Sequence, residues 1–190
     1  MSFDSRAARL TMVESQVRTA DVTDYALTDA MRVVEREALC PAGKGGLAYA
    51  DAEIEYAPGR WLMRPREIGK LLQGLLPRPG ERALCIAAPY AAAVLREIGL
   101  EVVVAEGEDL ARAPEGPFDV IVTEGAVANC PDAWVKALAE GGRLGVVVRE
   151  GPVGKARLYL REDGRTGWRD AFDATPPYLP GLEPKVQFAF

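Results

Sequence analysis

Three short apolar runs, VVVA, VIV and VVV, constrain the fold of this chain more than any other feature. Each is apolar at consecutive positions, so a strand built from it presents apolar side chains on both faces. Helical segments alternate with these runs, as expected for parallel strands joined by helices. Strands are predicted at Ala83–Ala87, Glu101–Ala105, Phe118–Thr123 and Leu144–Val148, and helices at Tyr90–Ile98 and Pro131–Glu140. The pattern predicts one α/β domain with a mostly parallel sheet and helices on both faces.

The two ends of the chain add smaller elements to this core. Residues 1–78 are predicted to form a helical N-terminal part of the same domain, with residues 79–190 as the α/β core. Apolar residues at helical spacing predict helices in Arg6–Thr19 and Pro65–Leu76. Near the C-terminus, Arg157–Arg161 and Lys185–Phe190 are predicted to form an antiparallel pair at one edge of the sheet. The proline-rich segment between them, Thr175–Pro184, is predicted to be a rigid connection.

Composition excludes several classes of function. A net charge of −5 with no basic stripe predicts no nucleic-acid partner. No apolar run is long enough to span a bilayer, and the first residues lack the apolar core of a secretory signal. Three scattered cysteines, Cys40, Cys85 and Cys130, predict reduced packing residues in a cytoplasmic protein. The absence of histidine excludes Ser–His and Cys–His catalysis.

The turn after the first core strand lacks the glycines that a nucleotide-binding loop uses. Residues Arg82–Arg96 (RALCIAAPYAAAVLR) predict a strand, a turn and a helix, without a single glycine. Glycines at such a turn allow the backbone to approach a cofactor at the helix N-terminus. Here Pro89 removes one amide donor. Side chains occupy the space of a ligand at Ala87, Ala88 and Tyr90. The sequence therefore predicts the strand, turn and helix of a cofactor site without the glycines that usually let the cofactor approach the backbone.

An ordered set of motifs points to a family, although no single motif is specific. They lie at Met12–Arg18 (MVESQVR), Ala30–Pro41, Ala48–Asp51 (AYAD), Pro79–Leu84 (PGERAL), Pro117–Thr123 (PFDVIVT) and Leu138–Leu144 (LAEGGRL). Together they cover most of the chain and resemble the protein-L-isoaspartate O-methyltransferase family. The resemblance implies a Rossmann-like methyltransferase fold that binds S-adenosylmethionine. It also implies methyl transfer to the free carboxylate of isoaspartyl residues in damaged proteins.

The chain departs from this family at the cofactor loop and at the segment before the third helix. The family's glycine-rich loop is shortened here to Ala87-Ala88-Pro89, and Cys85 replaces the acidic residue inside the strand. The family's polar segment aligns with Gly59–Pro65. Its hydroxyl positions have become Trp61 and Met63, of which Met63 stands at the family's serine position. The resemblance therefore assigns no catalytic residue.

A third departure shortens the core. Only eleven residues separate Glu106 from Phe118, where the family has a further helix and strand that help to hold adenine. A crossover connection with its helix needs roughly a dozen residues or more, so the fold is expected to be truncated by one helix–strand unit. The adenine side of the site is expected to be open.

One acidic residue keeps the family's position. Glu106 follows the strand EVVVA where the family has the carboxylate that binds ribose hydroxyls. Acidic residues also end strands for solubility, and the loss of the glycine loop favours this plainer interpretation. The degenerate cofactor site implied by the resemblance consists of Glu106, Ala87, Ala88 and Tyr90. No metal site is predicted.

Two further places are candidates for contact with a ligand. Arg60 and Arg64 flank Trp61 and Met63 and could hold a carboxylate or a phosphate. Core packing of the apolar side chains, with solvated arginines at the ends, is the favoured interpretation. Glu124 lies at a strand end near the usual ligand crevice of an α/β sheet and is a weak candidate.

Two hypotheses of different class follow. In the first, the chain has lost its chemistry and serves as a binding module for a protein or peptide, without bound S-adenosylmethionine. Its contact surface would lie around Arg60–Arg64 or Thr175–Pro184. In the second, the chain is a working S-adenosylmethionine-dependent methyltransferase with an unusual cofactor site. The missing histidine does not argue against the second hypothesis, because a carboxylate nucleophile is already ionised near neutral pH.

Overall fold

The computed structural model describes residues 4–185. Its α-helices in this range are α1 (Ser5–Met12), α2 (Tyr25–Val33), α3 (Pro65–Leu75), α4 (Pro89–Ile98) and α5 (Asp132–Lys136). Its strands are β1 (Ile54–Ala57), β2 (Arg60–Leu62), β3 (Arg82–Ile86), β4 (Glu101–Ala105), β5 (Phe118–Val127), β6 (Leu138–Arg149), β7 (Gly154–Glu162) and β8 (Arg165–Ala174). Strands β1 and β2 form a separate hairpin.

The six other strands form the central sheet in the order β4-β3-β5-β6-β7-β8. Neighbours among the first four strands are parallel, whereas β7 and β8 continue the sheet antiparallel. The predicted α/β class with a mostly parallel sheet is therefore confirmed.

Side chains of β3 show how the sheet is covered. Ala83 and Cys85 face one apolar cluster, which they share with the helices α1 to α4, whereas Leu84 and Ile86 face a second cluster. The second cluster contains Trp134 of α5. Both faces of the strand are buried, as the consecutive apolar residues predicted. The first cluster joins side chains from before and after residue 79.

No helix or strand lies between Ala105 and Phe118, in agreement with the predicted truncation. This short connection is held to the second face of the sheet. Leu110 is buried, and its carbonyl oxygen accepts a hydrogen bond from Trp134 Nε1 at 2.9 Å.

The helix predicted at Pro131–Glu140 is shorter than expected. Helix α5 ends at Lys136, and β6 begins at Leu138. The amide of Phe118 donates to the carbonyl oxygen of Ala137 at 2.9 Å, and Leu138 pairs with Phe118. The backbone after Lys136 therefore pairs with β5 and does not continue the helix. Local helix propensity could not indicate this long-range pairing.

The antiparallel end of the sheet also differs from the prediction. The partner of β7 on its outer side is β8, which was not predicted because most of its residues are exposed and it has no continuous apolar run. Strand β6 occupies the inner side of β7, so both sides are taken. Of the predicted partner Lys185–Phe190, residues 186–190 lie outside the described residues.

Over the part of the chain from Asp4 to Lys185, no helix is both long and apolar enough to cross a membrane.

Candidate functional site

The candidate site lies at the carboxyl ends of β3, β4 and β5, where open α/β sheets bind ligands. Ile86, the last residue of β3, pairs with Ala105 of β4 on one side and with Thr123 of β5 on the other. The residues that follow, Ala87, Glu106 and Glu124, therefore meet at one edge of the sheet. We call this edge the crevice.

The turn at Ala87 keeps a backbone conformation that favours glycine. Its φ is +44°, and its amide donates to the carbonyl oxygen of Ala105 at 2.9 Å. The left-handed region costs an alanine about 1–2 kcal/mol. Ala87, Ala88 and Tyr90 are fully buried, so their side chains fill the floor of the crevice.

This strain gives the first testable prediction. Ala87→Gly is expected to leave the free energy of unfolding nearly unchanged. Relief of about 1–2 kcal/mol of strain offsets a lost buried methyl group of about 0.8 kcal/mol and the greater freedom of unfolded glycine. Ala83→Gly, at an equally buried position without a positive φ, is the matched control and is expected to lose about 1.5 kcal/mol. Urea unfolding measures both values, and equal losses would contradict the strain at Ala87.

Glu124 caps the N-terminus of α4 from inside the protein. One carboxylate oxygen, Oε1, accepts from the amides of Tyr90 and Ala91, each at 2.9 Å. The other, Oε2, accepts from the amide of Met63 at 3.0 Å. Pro89 has no amide hydrogen, and the amide of Ala92 donates to Ala88. All N–H donors of the first turn are thus engaged, although a helix N-terminus is otherwise a natural anion site.

A buried arginine accompanies this carboxylate. Arg36 is fully buried, donates from Nε to the carbonyl oxygen of Ala48 at 2.9 Å and from Nη2 to that of Met63 at 2.5 Å. Its guanidinium carbon lies 4.5 Å from the centroid of the Tyr90 ring. Burial raises the pKa of Glu124, and the charge of Arg36 and the three N–H donors oppose that rise. Arg36 was not singled out from the sequence, where it is one of many scattered charges.

Glu106 is also engaged, by the β1–β2 hairpin. The hydroxyl of Tyr56 lies 3.1 Å from both of its carboxylate oxygens. Arg60 Nη1 lies 2.5 Å from Oε2 and also donates to the carbonyl oxygen of Glu106 at 2.7 Å, while Nη2 donates to that of Gly107 at 2.7 Å. Burial and the Glu106 charge raise the pKa of Tyr56, so its phenol stays a donor. The hairpin and the carboxylate therefore bind each other.

The segment Arg60–Arg64 contains no free arginine pair. Leu62 and Met63 are fully buried, as the packing interpretation requires, whereas Trp61 is half-buried and the flanking arginines are not simply solvated. Arg60 is paired with Glu106, and Arg64 Nε lies 3.0 Å from Glu53 Oε1.

The segment Thr175–Pro184, which we call the strap, runs beside the end of β5. The amide of Ala126 donates to the carbonyl oxygen of Pro177, and the amide of Leu179 donates to that of Ala126, both at 2.8 Å. Leu179 is buried against Gly125, where an added Cβ would lie 2.6 Å from Leu179 Cδ2. An added Cβ on Gly59, in the hairpin turn, would lie 3.0 Å from Pro180 Cγ. Strap and hairpin therefore meet next to the crevice.

The crevice engages most of its own polar groups, although Tyr90 Oη and Arg36 Nη1 are buried without a hydrogen-bond partner. The helix N-terminus binds Glu124, and Glu106 binds Tyr56 and Arg60. Across residues 4–185, no group of three or more His, Cys, Asp or Glu side chains could hold a metal ion. Histidine is absent from the whole sequence.

Comparisons with known proteins agree on one family. The family model described as protein-L-isoaspartate(D-aspartate) O-methyltransferase matches residues 96–169. A protein-L-isoaspartate O-methyltransferase of Methylorubrum populi is 35% identical, over 80% of this chain and 84% of the relative. That of Methylorubrum extorquens is 33% identical, over 85% and 82% respectively.

Two solved structures share the fold. One is a protein-L-isoaspartate O-methyltransferase with a TM-score of 0.72 and 17% identity, covering 92% of this chain and 67% of the other. The second, from Plasmodium falciparum and solved in complex with S-adenosyl-L-homocysteine, has a TM-score of 0.75 and 16% identity. It is matched over 94% of this chain and 99% of its own. These likenesses support the Rossmann-like methyltransferase fold.

Proposed function

Because the chain belongs to the protein-L-isoaspartate O-methyltransferase family, we propose that it has kept the family's fold, has lost methyl transfer and now acts as a protein-binding module. The observation that carries the proposal is that the chain's own side chains engage the two cofactor-binding groups of the crevice, the N–H donors at the start of α4 and the carboxylate of Glu106. A fold can persist while its site changes, because the apolar strands are needed for stability and the site residues are not.

S-adenosylmethionine makes three demands that the crevice, as folded, does not meet. Its carboxylate needs N–H donors, but Glu124 holds those at the start of α4. Its ribose hydroxyls need an acceptor, but Tyr56 and Arg60 occupy Glu106. A glycine at this turn would let the cofactor approach the backbone closely, but the methyl group of Ala87 fills that space. On this proposal the cofactor is not bound, and no step of transfer is derived through it.

The proposed contact surface is formed by the β1–β2 hairpin and the strap. Both segments are packed against the crevice and touch each other near Gly59 and Pro180. A surface that is already ordered loses little conformational entropy on binding, which favours association. The two segments predicted as alternative contact surfaces, Arg60–Arg64 and Thr175–Pro184, would then contribute to one surface.

A methyl-transfer assay tests the proposal. With an isoaspartyl peptide and a labelled methyl donor, the folded protein is expected to give no turnover above background. Turnover that disappears in Glu106→Ala would overturn the proposal. Circular dichroism of both proteins establishes that any difference does not come from unfolding.

The alternative is an active S-adenosylmethionine-dependent carboxyl methyltransferase acting on isoaspartyl residues. The observation in its favour is the 35% identity to the Methylorubrum populi relative over most of both chains. In that case the hairpin must release Glu106 when the donor binds. Tyr56→Phe and Arg60→Ala would then lower KM for the donor, whereas under our proposal neither variant shows turnover.

A further inference from the structure

A surface cavity of about 410 Å³ lies apart from the crevice. It is open to solvent and is lined by the turn that follows α1, the loop before β1, the first turns of α3 and the end of β8. Its lining includes Ser15, Gln16, Thr19, Glu67, Lys70 and Phe172. None of these residues takes part in the contacts that close the crevice.

Glu67 is the unusual member of this lining. It is only 7% exposed, yet its carboxylate has no hydrogen bond or ion pair with any residue between positions 4 and 185. Gln16 repeats the pattern: Nε2 donates to the carbonyl oxygen of Tyr49 at 2.8 Å, which leaves Oε1 buried without a partner. Buried polar atoms are nearly always satisfied, and an isolated buried carboxylate is costly. Gln16 and Glu67, each with a buried oxygen that has no partner, therefore belong to the lining of one cavity.

The other charged side chains of the lining already have partners. Asp51 pairs with Arg66 at 3.2 Å, and Asp173 pairs with Lys155 at 2.5 Å. Lys70 Nζ lies 4.9 Å from the centroid of the Phe172 ring. The negative charge that lacks a partner is that of Glu67.

We propose that this cavity binds a guanidinium group, such as the side chain of an arginine residue in a partner protein. A guanidinium presents several N–H donors in a flat fork, which can reach two separate acceptors at once. The carboxylate of Glu67 and the amide oxygen of Gln16 supply these acceptors. Within residues 4–185, this cavity included, no group of three or more His, Cys, Asp or Glu side chains is placed to hold a metal ion.

The pH dependence of stability provides an independent check on Glu67. Burial raises the pKa of its carboxyl group, so the folded state binds this proton more tightly than the unfolded state. Stability therefore falls as pH rises from the unfolded value through the raised one. The charged groups around Glu67 come from the loop before β1, the start of α3 and the end of β8: Asp51, Glu53, Arg64, Arg66, Lys70 and Asp173. Glu67→Gln is expected to be the more stable protein at pH 8, with the advantage shrinking toward pH 4.

Calorimetric titration with N-acetyl-arginine amide at pH 8 tests the proposal directly. We expect a Kd of about 1 mM for this small fragment, and binding weakened at least about tenfold in Glu67→Gln. N-acetyl-citrulline amide, which is nearly isosteric but uncharged, is expected not to bind. Asp173→Asn, at the rim, serves as the matched control and is expected to keep most of the affinity.

Three results would overturn the proposal. They are the absence of binding to the unaltered protein, equal binding to Glu67→Gln, and equal binding of the citrulline compound. Equal binding of N-acetyl-lysine amide would overturn the choice of guanidinium. The proposal does not depend on the loss of methyl transfer, because the cavity lies outside the crevice and each experiment has its own readout.

Discussion

The Glu124→Gln variant is expected to lose about 3 kcal/mol of unfolding free energy. The carboxylate accepts three backbone N–H bonds at 2.9, 2.9 and 3.0 Å inside the protein. A glutamine of the same shape turns an NH2 group toward at least one of these donors, which then has no acceptor. Arg36, which is fully buried, also loses the negative charge near it. A substitution that leaves a buried charge without its counter-charge is strongly destabilising.

Glu106→Gln is the matched control for this experiment. Both residues are carboxylates of the crevice, but the Glu106 side chain is 33% exposed and its partners can be replaced by water. Its substitution is expected to cost much less. Urea unfolding at pH 7 gives both free energies. Similar small losses in the two variants would show that Glu124 does not hold the start of α4.

The second large effect is expected from Gly125→Ala, with a loss of about 2 kcal/mol. The new Cβ would lie 2.6 Å from Leu179 Cδ2 and 2.8 Å from Leu179 Cγ, well inside van der Waals contact. Leu179 is 1% exposed, so it cannot move aside without losing its packing. The strap would therefore be pushed away from β5, together with the backbone hydrogen bonds it makes to Ala126.

A double-mutant cycle shows whether the loss comes from this contact. In the Leu179→Ala background, Gly125→Ala is expected to cost much less, because the obstructing atoms are gone. Gly151→Ala is the control, since an added Cβ there meets no heavy atom within 4 Å. Additive losses in the cycle would mean that the strap does not press on Gly125.

The core of the fold was predictable because its signal is local. The runs in β5 and β6 are apolar at successive positions and are buried, as expected of central parallel strands. The same pattern in β4 belongs to an edge strand that is only partly buried, with Val104 39% exposed. Strand β8 lacked it, since seven consecutive residues from Arg165 to Ala171 are exposed and their pairing with β7 depends on register. The end of α5 was predicted too late for a related reason: Leu138 pairs with Phe118 of β5, a contact between residues far apart in the sequence.

The site was predictable only in its local part. The missing glycines at Ala87 and Ala88 can be recognised because they directly follow the first core strand, and Glu106 can be recognised because it directly follows the next one. Their partners cannot, because Tyr56 is fifty positions from Glu106 and Met63 is sixty-one from Glu124. Glu124 was placed near the crevice by its position at a strand end, but its role as the cap of α4 depends on tertiary contacts.

Calorimetric titration with S-adenosylmethionine and S-adenosylhomocysteine tests the central claim most directly, since the claim is that the chain's own residues close the crevice. We expect neither compound to produce binding heat or to raise the Tm at concentrations up to about 1 mM. A Kd above about 1 mM means that binding contributes less than about 4 kcal/mol of free energy. Low-micromolar binding that is lost in Glu106→Ala would contradict the account, because it would show that the crevice still accepts the cofactor.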